Sequence, residues 1–147
     1  MLTILALAAA ASAAAPAPAP PRVPDLREAV IAYLNAYASG DKAAVIGALD
    51  QNVQLYGGDL SDVYHGVSGA ADLFDADQKQ WGGNAKFGTM FNVSGVRDGQ
   101  MASVMFDIPF TGGKGATVNE RYAMVWRIEG GAWKLLMSSN AILGATK

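Results

Sequence analysis

The chain has few side chains suited to proton transfer, and they concentrate in one stretch. His65 is the single histidine, and there is no cysteine. Asp59 and Asp62 stand in the loop Gly57–Asp62 just upstream of it, with Tyr56 and Tyr64 on either side. A carboxylate placed against an apolar wall has its pKa raised by desolvation and can act as a base. A neutral imidazole beside Tyr56, Tyr64 or Asp59 could relay protons. The alternatives are a solvated loop carboxylate and a hydrogen-bonded structural histidine.

Other chemistries find no support. One His and scattered Asp give no metal-ligand spacing. No glycine-rich loop joins a strand to a helix in the way a phosphate site requires, and no serine sits in a nucleophile-elbow context. We expect no metal and no cofactor. The formal charge of −2 and 16% charged residues lack the clustered Lys and Arg of a nucleic-acid footprint.

The elements that must position these residues follow from periodicity. Asp25 is a suitable N-cap, with Glu28 three residues on. Leu26, Val30, Tyr33, Leu34 and Tyr37 then recur at helical spacing until Ser39-Gly40 ends the helix. Asp41 caps a short second helix that buries Val45, Ile46 and Leu49. Asn52–Tyr56 and Val63–His65 read as a strand pair. Ser68 caps a third helix, Gly69–Gln80, which turns Ala70, Leu73 and Phe74 inward and Asp72, Asp75, Asp77 and Lys79 to water. A strand over Lys86–Val96, with Phe87, Thr89, Phe91 and Val93 on one face, leads through Asp98-Gly99 into three long strands: Met101–Thr111, Ala116–Glu129 and Trp133–Asn140. Ala102, Val104, Phe106, Ile108 and Phe110 alternate as one buried face. Glu120 shares parity with Tyr122, Met124 and Trp126, so it marks either a cavity rim or the point where the strand leaves the core. Asp107 lies on the outer face, where it could meet Arg121 or Arg127 across the strands. The fold class is α+β, with a curved antiparallel sheet wrapped around about three helices.

Residues 1–13 read as a signal peptide: Leu2–Ala10 is apolar and too short for a membrane span of about twenty residues. Residues 14–24 read as an Ala/Pro-rich tether, and residues 25–147 as the domain. A periplasmic or secreted location follows from that reading, with no membrane span.

Tyr33 with Ser39-Gly40-Asp41, Gly66 with Ala70-Ala71, and Arg121, Val125-Trp126-Arg127 and Gly131-Ala132-Trp133-Lys134 resemble the nuclear transport factor 2-like superfamily. Its cone-shaped domains include ketosteroid isomerases and SnoaL-like cyclases. The resemblance implies a cavity opening at one end of the cone, with the opposite sheet face serving as a homodimer interface. It implies that Val104, Phe106, Ile108 and Phe110 line the cavity, joined by Tyr56, Phe74, Met124 and Trp126. Tyr33 matches the first-helix tyrosine that stabilises an enolate in ketosteroid isomerases. The matching general-base position holds Gly57 and the third falls near Met124, which argues against that isomerisation. The expected function is an exported domain that binds a small apolar or aromatic molecule. The alternatives are an isomerase, cyclase or dehydratase using Tyr33 with Asp59 or His65, and a dimeric association domain without a ligand.

Overall fold

A computed structural model describes residues 25–58, 61–113 and 115–144. The signal-peptide and tether readings, and Asp59, lie outside the described residues.

Helix α1 (Leu26–Ser39) starts where Asp25 accepts a hydrogen bond from the Arg27 backbone N–H at 2.8 Å, and ends at Gly40 with φ 77°. A left-handed residue there costs glycine little, and its N–H caps the Ala36 and Tyr37 carbonyls. Helix α2 is short (Lys42–Gly47), and β1 (Leu49–Tyr56) begins three residues earlier than the alternation of Val53 and Leu55 suggested. Leu49, expected on the buried side of α2, is buried as the first residue of β1. After β2 (Val63–His65), helix α3 (Gly66–Trp81) begins at Gly66 rather than Gly69; His65 takes the N-cap position without a side-chain capping bond.

The expected strand Lys86–Val96 is two strands, β3 (Lys86–Phe87) and β4 (Phe91–Asp98). Both pair with β5 (Met101–Thr111), β3 opposite Thr111 and Phe110 and the start of β4 opposite Asp107, so that Pro109 falls at the break between them. Pro109 has no N–H to donate to a neighbour. The Gly88 N–H donates to the Pro109 carbonyl at 2.8 Å, and Asn92 adopts φ 51° at a shift in register. Phe91 and Val93 therefore stand exposed instead of continuing the face of Phe87.

Strands β6 (Thr117–Glu129) and β7 (Ala132–Leu143) complete a seven-stranded sheet in the order β2-β1-β7-β6-β5-β3, with β4 also on β5. All pairs are antiparallel except β1 with β7. Trp126, Phe106, Met124 and Leu135 from the sheet meet Val30 and Tyr33 of α1 and Phe74 of α3 in one core. Tyr33 packs edge-on against Trp126 with ring centroids 5.9 Å apart. On the outer face Asp107, 2% exposed, accepts two bonds from Arg121, at 2.7 and 2.9 Å, and one from the Asn92 amide at 2.8 Å. Arg127 bonds instead to buried Asp50.

Candidate functional site

Two helices and the sheet converge on a cavity of about 260 Å³. Helix α1 contributes Tyr33 and Tyr37, four residues apart and so on one helix face. Helix α3 contributes Leu73, Asp77, Gln80 and Trp81. Strand β6 contributes Val118, Glu120 and Tyr122, which alternate onto the inner face of the sheet. Phe110 of β5 and Ser138 and Asn140 of β7 extend that wall, and the end of β1 with Asp62 forms the rim.

The polar groups are ordered in pairs. The Tyr37 hydroxyl donates to Asp77 Oδ2 at 2.8 Å. The Tyr122 hydroxyl donates to Glu120 Oε2 at 2.8 Å. Tyr33 is 7% exposed and lines the same cavity, yet its hydroxyl makes no hydrogen bond among the described residues.

Both carboxyls are shifted toward the protonated form. Burial raises the pKa of Asp77 and the nearby charge of Asp62 adds to this, while the Tyr37 hydrogen bond opposes it. Burial raises Glu120 against the bond from Tyr122, and the Asp77 charge pushes it further up. The Asp77 charge thus reaches Glu120, so ionising Asp77 disfavours ionising Glu120. Burial, reinforced by the Asp77 charge, pushes Tyr33 and Tyr37 well above the usual phenol range. Burial does the same to Tyr122, helped most by the Glu120 charge. All three phenols therefore stay neutral.

The structure distributes the sequence candidates unevenly. Tyr33, Tyr56 and Phe110 line the cavity. Phe74, Phe106, Met124 and Trp126 are buried in the core behind it and do not reach its surface. Val104 lines a separate, larger hollow of about 500 Å³ between the first turn of α1 and strands β4 and β5, and Ile108 lines a third near β3. The larger hollow holds Arg97 over the Trp133 ring, 5.2 Å from its centroid, but lacks convergent acid–base groups. His65 is exposed at the end of β2 and is not among the cavity-lining residues. Glu120 stands at the cavity, one of the two places its parity allowed.

Asp77 is the correction of greatest consequence. It was expected to face water; it is half-buried and faces the cavity. The helical register carried the signal, because Asp77 lies three residues after Phe74 and four after Leu73, on the inward stripe that ends at Trp81. Tyr37, which the spacing places on the apolar stripe of α1, also donates its hydroxyl to Asp77, as Tyr122 does to Glu120. Among the described residues no group of three His, Cys, Asp or Glu side chains is arranged to hold a metal ion.

No family model matches the chain, and no curated protein matches it. Solved structures do. A nuclear transport factor 2-like protein of unknown function from Pseudomonas putida superposes with a TM-score of 0.73 at 14% identity, over 83% of this chain and 93% of that one. A candidate dehydratase of the nuclear transport factor 2-like family from Streptomyces avermitilis gives 0.72 at 15% identity, over 82% and 95%. A candidate scytalone dehydratase from Novosphingobium aromaticivorans gives 0.70 at 8% identity, over 80% and 81%. At these identities the likeness is one of architecture: the chain has the nuclear transport factor 2-like, cystatin-like fold.

Proposed function

We propose that the chain is a small-molecule-binding cone domain whose cavity performs acid–base chemistry, with Asp77 and Glu120 as the proton-carrying pair. One observation carries this reading: two carboxyls with raised pKa values face one largely apolar cavity, each held by a tyrosine hydroxyl. A carboxylate in such a setting takes a proton from carbon beside a carbonyl. The Tyr33 hydroxyl, neutral and without a partner, donates to the carbonyl oxygen as negative charge develops there. In an isomerisation the proton returns to another carbon. In a dehydration the C–H electrons form the new double bond, the C–O bond breaks, and a carboxylic acid of the pair protonates the departing hydroxyl. The two structural neighbours described as candidate dehydratases lend the second course support.

The test needs no known substrate. Proton NMR in deuterium oxide, over a panel of small ketones and β-hydroxy ketones, reads exchange of protons next to the carbonyl. The proposal expects exchange or water loss with the wild type and loss of about a hundredfold or more in Asp77→Asn with Glu120→Gln. Turnover that survives the double substitution unchanged overturns it.

Export and dimerisation belong to the same proposal. Val96, Ser103, Val125 and Met137 form one cross-strand row on the outer sheet face, with Val96 72% and Met137 42% exposed. Burying that row against a second copy is the reading, and a monomeric mass by light scattering contradicts it.

A further inference from the structure

Among the described residues the charge lining the cavity has one sign. Asp62, Asp77 and Glu120 contribute to its wall, and no described Lys, Arg or His lines it. The other described titratable groups facing it are Tyr33, Tyr37, Tyr56 and Tyr122. Elsewhere the fold supplies its buried carboxylates with a cation: Asp107 has Arg121, and Asp50 has Arg127. Asp77 and Glu120 receive only neutral donors among the described residues, namely the hydroxyls of Tyr37 and Tyr122. A buried carboxylate without a counter-charge is costly, and that cost falls when a cation arrives.

A second observation is independent of the carboxyls. The Tyr33 side chain is more than nine-tenths buried, lines the cavity, and leaves its hydroxyl unpartnered among the described residues. Its oxygen can accept an N–H from an occupant. Trp81, Phe87 and Phe110 provide apolar and aromatic wall for the rest of the molecule, and aromatic faces attract cations.

We infer that the occupant of this cavity is a small organic cation, an amine or ammonium group on an apolar or aromatic body, recognised by Asp77, Glu120 and the free Tyr33 hydroxyl. The inference rests on the cavity being the ligand site and names the charge of what fills it. It excludes carboxylic acids and phosphates as ligands. It does not require a particular reaction: with the ammonium offsetting one carboxylate, the other remains available to move a proton.

A matched trio of probes tests it by calorimetric titration of the full chain: 2-phenylethylamine, 2-phenylethanol and phenylacetate. The amine should bind at least about tenfold tighter than the alcohol, with phenylacetate weakest. Asp77→Asn and Glu120→Gln should each weaken the amine by about tenfold while changing the alcohol by less than about threefold. In the wild type alone, amine affinity should rise with pH as Asp77 and Glu120 ionise, with protons released on binding. This arm decides the matter even if a variant fails to fold. An alcohol that binds as tightly as the amine, or a carboxylate that does, overturns the cationic occupant and leaves the cavity reading standing. No binding by any of the three at saturating concentrations overturns both.

Discussion

Replacing Tyr37 with Phe removes one oxygen and one hydrogen bond. The ring contacts to Phe74 at 5.1 Å, Trp81 at 5.7 Å and Tyr33 at 5.8 Å are open to phenylalanine as well, so packing changes little. The lost interaction is the 2.8 Å bond to Asp77 Oδ2. A hydrogen bond to a charged group contributes about 1.5–3 kcal/mol, and Asp77 is only half-buried, so the lower end applies when it is ionised. When Asp77 is protonated the bond is neutral and its loss costs about 1 kcal/mol or less. The sign follows: the tyrosine favours the charged form, so removing it raises the pKa of Asp77 further and makes the variant's deficit grow as pH rises. Urea denaturation of wild type and variant in mildly acidic and mildly alkaline buffer reads the difference. A deficit that is equal in both buffers, or larger in acid, refutes the claim that the Tyr37 hydroxyl holds an ionisable Asp77 at the cavity.

Other outcomes follow from the same geometry. Raised folded-state pKa values at Asp77 and Glu120 stabilise the fold at low pH, and this contribution is lost as pH rises from the ordinary carboxyl range, about 4, through the folded values. Thermal melts of Asp77→Asn and Glu120→Gln should therefore gain on wild type as pH increases; a gain confined to acid would contradict the assignment. Asp107 behaves oppositely, because Arg121 and Asn92 push its carboxyl down to about 2. Its stabilisation is present above the ordinary range and lost as pH falls toward about 2, so melts of Asp107→Asn should show a shallower decline in acid than wild type. Phe106→Ala removes a fully buried ring stacked on Tyr122 at 5.4 Å and should cost about 3–5 kcal/mol by denaturation. Gly113→Ala would place a Cβ 1.5 Å from the Trp81 carbonyl oxygen, an atom of the backbone. A loss of about 1–3 kcal/mol is expected there, with shifted amide signals at the end of α3; an unchanged spectrum would show that the loop does not approach Trp81.

The architecture was readable because its signals are local. Strict alternation of Ala102, Val104, Phe106, Ile108 and Phe110 assigned one face of β5, and all five are buried. Glycine turns bounded the long strands, and the Asp25 and Gly40 caps bounded α1. The break between β3 and β4 was hidden, because it depends on Pro109 two strands away in sequence and on the left-handed Asn92. The parallel pairing of β1 with β7 joins segments some eighty residues apart and leaves no local trace. The site was harder for a different reason. An aspartate among Asp72, Asp75 and Lys79 reads as part of a solvated face, and only its register relative to Leu73 and Phe74 points Asp77 inward. Glu120 was legible as an anomaly of parity, but its bond from the Tyr122 hydroxyl comes from packing. His65 stands out by residue type alone, and its edge strand leaves it exposed.

The central claim is that Asp77 and Glu120 form one coupled acid–base pair at a ligand cavity. Carbon-detected NMR titration of their side-chain carboxyls, in wild type, Asp77→Asn and Glu120→Gln, measures this directly. The account requires both groups to titrate above the ordinary carboxylate range and each to fall when the other is neutralised. Two independent titrations within the ordinary range, unmoved by either substitution, would contradict it.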